Sequence, residues 1–226
     1  MARALAVVLA FAALSCASAP GGPPGASGAW GYVRLVPREG VHPGGGGAYG
    51  DRRLADASFV DYSRPGFVVV YADGDAPGGR AELVLRQRAT GVRFEPRTAA
   101  VGAGGTIEIR NETGTPQVLS AREHGRLESL APGASASFAA SGEGPRGFSV
   151  LSGAEADALV FVAPGPFAVV SESGRFELPD LAPGHHRVVA WHPRFPSAAH
   201  GIELSGGEMQ RLDIEIGVDQ PAEVEP

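Results

Sequence analysis

The stretch DALVFVAPGPFAVVSESGRFELPDLAPGHHRVVAWHP, residues 157–193, decides the fold class. It contains short apolar runs at 159–162, 167–170 and 188–191, and turns rich in proline and glycine separate them. Apolar runs of this length, bounded by turn residues, are typical of β-strands. The stretch therefore predicts a compact sandwich of strands.

The same pattern continues in both directions along the 226-residue chain. Segments that alternate apolar and polar residues, such as TIEIR at 106–110 and MQRLDIEI at 209–216, predict strands with one buried face. The 33 glycines and 19 prolines lie mostly between such runs, and helical periodicity is confined to one possible turn at 153–158. We therefore expect an all-β protein built from Greek-key β-sandwiches.

The amino terminus carries the features of an export signal, predicted over residues 1–16. Arg3 precedes an apolar run at 4–14 that is too short to span a bilayer, and the lone cysteine, Cys16, follows it. Two interpretations stay open: cleavage after 17–19, or lipid attachment at Cys16, which resembles the anchor of bacterial lipoproteins. Both predict an exported protein, periplasmic or associated with the outer membrane of a bacterium, and under the second interpretation the lipid anchor is its membrane contact.

Two segments next to the predicted sandwiches have the composition of unstructured chain. Residues 17–29 are rich in glycine and proline and predict a flexible linker, and the acidic residues 218–226 predict a disordered tail. The net charge is −6, and no basic patch is interleaved with aromatic residues. These features argue against nucleic acid as a partner.

Residues 173–191, SGRFELPDLAPGHHRVVAW, resemble the carboxypeptidase regulatory-like domain, a small transthyretin-like β-sandwich. Gly174 is expected to make the hairpin turn and Phe176 to point into the core, while a histidine stands where that family usually has a tyrosine. The resemblance implies a sandwich assembled from both ends of the chain, residues 30–80 and 164–217.

Residues 93–113, RFEPRTAAVGAGGTIEIRNET, resemble the opening of a cupredoxin. The resemblance implies that residues 81–163 form a cupredoxin-like sandwich inserted into the first one. The combined arrangement is similar to bacterial periplasmic plastocyanin-like proteins of the methylamine-utilisation type. Within this segment, the sequon at 111–113 predicts a surface turn.

The inserted segment departs from the cupredoxin family at the metal ligands. A type 1 copper site needs a thiolate and two imidazoles, because sulfur and imidazole nitrogen hold copper in both oxidation states. The resemblance places the ligands at Pro116 or Gln117, Ser149, Ser152 and Glu155. None of these side chains is a thiol or an imidazole. We therefore expect a cupredoxin-like segment that has lost its metal, and a protein without a cofactor.

A copper-binding or electron-transfer protein with a non-standard site is the alternative hypothesis. Its candidate ligands are His124, His185, His186, His192, His200 and Met209. Neighbours in a strand point to opposite faces, which separates His185 from His186, and no spacing among the six histidines matches a known metal pattern. We expect these histidines to be structural or exposed to solvent.

Catalytic patterns are weak in this sequence. It has no G-x-S-x-G elbow, and its serines fall in turns and among small residues. A hydrolase is therefore the least favoured hypothesis, and we expect no enzyme. The best-supported function is a non-enzymatic, lipid-tethered envelope module that binds a partner protein or a polysaccharide, or acts structurally.

A carbohydrate-binding β-sandwich is a second alternative. Its candidate platform consists of aromatic residues, although single aromatic residues in strands more often belong to the core. The candidates are Trp30, Tyr32, Tyr49, Tyr62 and Trp191.

Overall fold

A computed structural model describes residues 27–38, 60–151 and 157–219. Within these residues, the regular structure is almost entirely β-strand, which confirms the predicted all-β class. In chain order the strands are β1 (Gly28–Pro37), β2 (Val69–Ala72), β3 (Arg80–Arg88), β4 (Gly91–Glu95), β5 (Thr98–Gly102), β6 (Thr106–Asn111), β7 (Gln117–Ala121), β8 (Arg126–Leu130), β9 (Ser135–Ala139), β10 (Gly144–Val150), β11 (Asp157–Ala163), β12 (Phe167–Val169), β13 (Arg175–Leu178), β14 (Gly184–Trp191), β15 (Ala198–Leu204), β16 (Met209–Arg211) and β17 (Ile214–Val218). A 3-10 turn, Arg122–His124, joins β7 to β8.

Strands from the two ends of the described chain form one sandwich, which we call the terminal lobe. In one sheet β1 lies between β13 and the pair β16 and β17, and the other sheet has the order β12-β2-β14-β15. The inward side chains of both sheets, among them Val33, Val70, Phe176, Val188 and Ile214, form a continuous buried core. This core accounts for the alternation of buried and more exposed positions along β1 and β17.

The strands between β2 and β12 form a second sandwich, which we call the insert lobe. Its sheets have the orders β4-β3-β6-β9 and β5-β11-β10-β7-β8. Its core is separate from that of the terminal lobe and includes Leu83, Phe94, Ile107, Leu119 and Phe148. Each lobe therefore has its own hydrophobic core, as expected of a sandwich that packs two sheets face to face.

The prediction of a single strand over 209–216 is wrong. The chain forms β16 and β17, both parallel to β1, with Leu212 and Asp213 between them. The Leu212 N–H donates to the Trp30 carbonyl at 2.7 Å, and the Asp213 carboxylate accepts from the Tyr32 N–H at 3.1 Å. Gly31 makes room for this irregularity, because a Cβ there would lie 1.8 Å from the Leu212 carbonyl oxygen.

Several other predictions concern residues that the structure describes. Gly174 has a φ of 84° and Phe176 is 2% exposed, as predicted. The predicted surface turn at 111–113 is wrong at its first residue, because Asn111 is fully buried at the end of β6. The possible helical turn at 153–158 lies mostly outside the described residues, and its last two residues belong to β11.

Other predictions concern the chain termini. The predicted signal segment and Cys16 lie outside the described residues. β1 begins at Gly28, inside the predicted linker, and β17 ends at Val218, the first residue of the predicted tail. No described segment forms a long apolar helix of the kind that spans a bilayer.

Candidate functional site

The candidate metal ligands on β14 point to opposite sides of their sheet. The His185 imidazole is 83% exposed, and its Nε2 lies 3.0 Å from the Glu203 carboxylate. The His186 ring lies on the core side, with Nε2 2.7 Å from the Ala182 carbonyl oxygen and Nδ1 3.4 Å from the Asp73 carboxylate. The two rings therefore have different neighbours, as the strand alternation predicted.

His192 is buried directly after β14. Its ring stacks on Phe195 with centroids 4.4 Å apart, and its Nδ1 accepts the Arg194 N–H at 3.0 Å. Burial lowers the pKa of His192 to about 4; the Arg194 guanidinium adds to this, and a hydrogen bond to the Pro65 carbonyl opposes it. His192 is therefore a neutral structural residue at physiological pH.

The remaining candidate ligands lie on other elements of the fold. His124 packs against Phe138 and Phe148 in the insert lobe, with ring centroids 5.2 and 6.1 Å away. His200 and Met209 are half-buried in β15 and β16 of the terminal lobe. Within the described residues, no group of three or more His, Cys, Asp or Glu side chains is placed to hold a metal ion.

The place of the first cupredoxin ligand is occupied by a buried polar network. The Asn111 amide donates to the Thr115 and Leu130 carbonyls at 3.0 and 2.8 Å, and its oxygen accepts from the Thr113 N–H and hydroxyl. The Gln117 amide donates to the Thr113 hydroxyl at 3.1 Å. These contacts satisfy polar groups inside the insert lobe and fix the connection between β6 and β7. Ser149 lies on β10, and Ser152 and Glu155 lie outside the described residues.

An aromatic cluster joins the two lobes. The Trp191 indole of β14 stacks on the Phe161 ring of β11, with centroids 4.3 Å apart and planes at 28°. Tyr71 of β2 meets the same Phe161 ring at 5.7 Å, and Phe67 meets Trp191 edge-on at 6.3 Å. Phe161 is 3% exposed, so the outer faces of two sheets from different lobes pack against each other here.

Both chain connections between the lobes pass through close backbone contacts beside this cluster. A Cβ on Gly102 would lie 2.6 Å from the Gly78 nitrogen, and the Gly102 N–H donates to the Gly78 carbonyl at 2.9 Å. A Cβ on Gly165 would lie 2.2 Å from the Ala72 carbonyl oxygen. The aromatic cluster holds the two lobes together, and these backbone contacts fix the two connecting segments.

An open cleft of about 200 Å³ lies at the edge of the aromatic cluster. Its walls are Tyr71, Glu143, Gly144, Phe161, Pro164 and Trp191. Tyr71 and Trp191 are half-buried, whereas the Glu143 side chain is exposed. We call this feature the junction cleft, and it is the candidate functional site, because it combines fixed aromatic rings with accessible polar groups.

The turn that carries Glu143 is held by Arg146. Its guanidinium donates to the carbonyls of Ser141, Glu143 and Pro145 at 2.5, 3.2 and 2.9 Å. Three hydrogen bonds from one planar group fix the backbone on both sides of Glu143. The Glu143 carboxylate therefore projects from a braced turn.

The Tyr71 hydroxyl is a hydrogen-bond donor at physiological pH. Burial raises the pKa of Tyr71, and the nearby Glu143 carboxylate raises it further, while the Arg187 guanidinium acts in the opposite direction. The junction cleft thus places a neutral phenol donor near a carboxylate acceptor.

The other aromatic candidates lie elsewhere. The Trp30 ring lies between the guanidinium groups of Arg175 and Arg211, at 5.9 and 5.5 Å from its centroid, on the other sheet of the terminal lobe. Tyr62 packs against the core of that lobe, and Tyr49 lies outside the described residues. Among the members of the candidate platform that the structure describes, only Trp191 lies in the junction cleft. Sequence analysis missed Phe161 and Glu143, since nothing local to either residue reveals that two lobes meet there.

The outer face of the β4-β3-β6-β9 sheet has a different character. Ion pairs cross it, and the Arg86 guanidinium lies 3.3 Å from the Glu95 carboxylate and 2.9 Å from that of Glu112. Ser137 of β9 is exposed in the same sheet. This charged face is a suitable control surface for experiments on the junction cleft.

The fold and the site define an all-β protein with two sandwiches and an aromatic cleft at their junction. The sequence matches no protein-family model, and no curated protein matches it significantly.

Several solved structures are similar to part of the chain. Over 37% of its length the chain is similar to a purple cupredoxin from Nitrosopumilus maritimus, with 16% identity, a TM-score of 0.31 and 99% of that chain covered. Over 38% it is similar to a pseudoazurin from Hyphomicrobium denitrificans, with 18% identity, a TM-score of 0.30 and 77% covered. Over 41% it is similar to the metal-binding domain of the Cu(I)-exporting ATPase CopA of Streptococcus pneumoniae D39, with 17% identity, a TM-score of 0.30 and 92% covered. Likenesses at this level carry no conclusion about metal binding in this chain, and the carboxypeptidase regulatory-like resemblance stays a prediction.

Proposed function

We propose that this protein is a non-enzymatic binding module of the bacterial cell envelope that holds an envelope component in the junction cleft. The observation that carries the proposal is the cleft itself. Its aromatic walls come from both lobes and its carboxylate stands on a braced turn, so the site is formed before a ligand arrives. A preformed site binds its ligand more tightly than a flexible one, because its side chains and loops lose little conformational entropy on binding.

The predicted export signal at residues 1–16 supports an envelope location. In our proposal Cys16 carries a lipid, and the predicted linker that follows it tethers that lipid to the sandwich to which β1 belongs. A tether of this composition leaves the cleft free to meet components beyond the membrane surface. A Cys16→Ala variant should leave the membrane fraction and stay folded.

Photo-crosslinking in cells tests the binding proposal. A benzoylphenylalanine introduced at Pro145 stands directly after Glu143 and Gly144 on the exposed side of β10. The matched control carries the same group at Ser137, on the charged face of the insert lobe. We expect a discrete ultraviolet-dependent adduct from position 145 and none from position 137.

The adduct must also depend on the cleft. A Trp191→Ala change in the Pro145 variant should remove it, since the indole is a wall of the cleft. Absence of any adduct from position 145, or an equal yield from both positions, would overturn the proposal.

A further inference from the structure

We propose that the ligand of the junction cleft is a neutral saccharide segment of an envelope polymer, stacked on Trp191 and hydrogen-bonded by Glu143 and Tyr71. This inference rests on the proposed function and names the class of ligand for the same site. It is argued from the rings, the polar groups and the shape of the cleft.

The aromatic wall provides a stacking surface. Trp191 is half-buried, and Phe161 supports its ring at 4.3 Å, so the indole cannot turn freely. Tyr71 adds a second half-buried ring that meets Phe161 at 5.7 Å. One face of a pyranose ring presents C–H groups and is apolar, and fixed aromatic rings bury such a face at a small entropic cost.

The polar groups suit hydroxyl groups rather than ions. Glu143 offers two acceptor oxygens, and the Tyr71 hydroxyl offers a donor in the same cleft. Two neighbouring hydroxyl groups of a sugar can donate and accept hydrogen bonds at the same time. They therefore match a carboxylate acceptor and a phenol donor. The positive charge of the Arg187 guanidinium near Tyr71 offsets the negative charge of the Glu143 carboxylate. The chain as a whole carries a net charge of −6. The negative net charge of the chain would repel a polyanionic ligand.

The shape of the cleft favours part of a polymer. Its volume of about 200 Å³ is below the roughly 300–1,000 Å³ of sites that enclose a whole small molecule. The cleft is also open to solvent, so the rest of a longer chain can extend beyond it. One or two rings of a longer glycan would occupy it.

Tryptophan fluorescence tests this inference on the full chain purified from the envelope. The protein has two tryptophans, and Trp30→Phe leaves Trp191 as the sole reporter. The probes are chitotetraose, cellotetraose and maltotetraose, which differ in linkage and substituents but are all neutral. We expect a saturable change in Trp191 emission with at least one of them.

Two conservative variants assign the contacts. Glu143→Gln and Tyr71→Phe should each weaken binding by about tenfold, because each removes a hydrogen bond to the sugar. Glu172→Gln changes an exposed carboxylate in the turn before β13 and should leave the affinity unchanged.

Two results would overturn the inference: no saturable change with any of the three probes, or binding that survives both cleft variants. The first result together with a crosslink from position 145 to an envelope protein would leave the proposed function intact and replace the saccharide with a protein ligand. The loss of both signals would overturn the two proposals together.

Discussion

The indole of Trp191 and the ring of Phe161 belong to different lobes and stack with their centroids 4.3 Å apart. Phe161 is 3% exposed and also contacts Tyr71, so it is the central residue of the junction. Because its side chain fills the space between two sheets, truncation leaves a cavity that neither lobe can close by itself.

We therefore predict that Phe161→Ala lowers the free energy of unfolding by about 3–5 kcal/mol. It should also separate one cooperative urea transition into two, since each lobe has its own core. Leu127→Ala is the control, because that side chain is 70% exposed. If both variants lose the same small amount of unfolding free energy, the junction is not tightly packed.

His192 makes stability depend on pH in a defined direction. Its pKa is about 4 in the folded protein and near 6.5 when unfolded. The folded state therefore binds the proton less readily, so the stabilisation is fully present above about pH 6.5 and is lost as the pH falls towards 4. A shift of this size corresponds to roughly 3 kcal/mol.

The His192→Gln variant isolates this effect, because its amide stays neutral at every pH. We expect the stability difference between wild type and variant to be constant above pH 6.5 and to shrink steadily from pH 6.5 to 4. Urea denaturation across this range measures it. A difference that does not change with pH would show that His192 is not buried in its neutral form.

The Asn111 amide provides a third prediction. It is fully buried and makes hydrogen bonds with three other residues. Asn111→Ala leaves the Leu130 carbonyl and the Thr113 hydroxyl without this partner, and we expect a loss of about 2–4 kcal/mol in unfolding free energy. Ser129→Ala, an exposed change on β8, should cost under about 0.5 kcal/mol. If both variants lose a similar amount of unfolding free energy, the hydrogen bonds of Asn111 do not stabilise the insert lobe.

Copper binding discriminates between the main hypothesis and its alternative. In the part of the chain that the structure describes, no three His, Cys, Asp or Glu side chains are grouped to hold a metal ion, so we expect no stoichiometric, high-affinity uptake of Cu(I) or Cu(II) by the purified protein. Elemental analysis and titration with a competing chelator measure this. Stoichiometric binding that is lost in His185→Ala or His192→Ala would favour the copper alternative.

The sequence predicts the fold class because apolar alternation and turn residues are local signals. Gly174 and Phe176 could be placed from such signals alone. Local signals predict neither β5 nor β10, because TAAVG and GPRGFSV are dominated by small residues and carry little alternation. β5 gains its strand conformation from parallel pairing with β11, which is a long-range contact.

The junction cleft was beyond local sequence analysis for the same reason. Trp191 was noticed as an aromatic residue, but its partner Phe161 lies 30 positions earlier in another sandwich. Glu143 has no local signature, and its position depends on three hydrogen bonds from Arg146. The site arises from the packing of two sheets, which no single strand encodes.

The central claim is that the junction cleft binds an envelope component, and ¹⁹F NMR of the protein labelled with 5-fluorotryptophan tests it most directly. The two tryptophans give two resonances, and Trp30→Phe assigns them. On addition of isolated envelope material, we predict that the Trp191 resonance shifts or broadens while that of Trp30, which lies between Arg175 and Arg211, stays in place. If neither resonance changes, or only that of Trp30 does, the cleft is not the binding site.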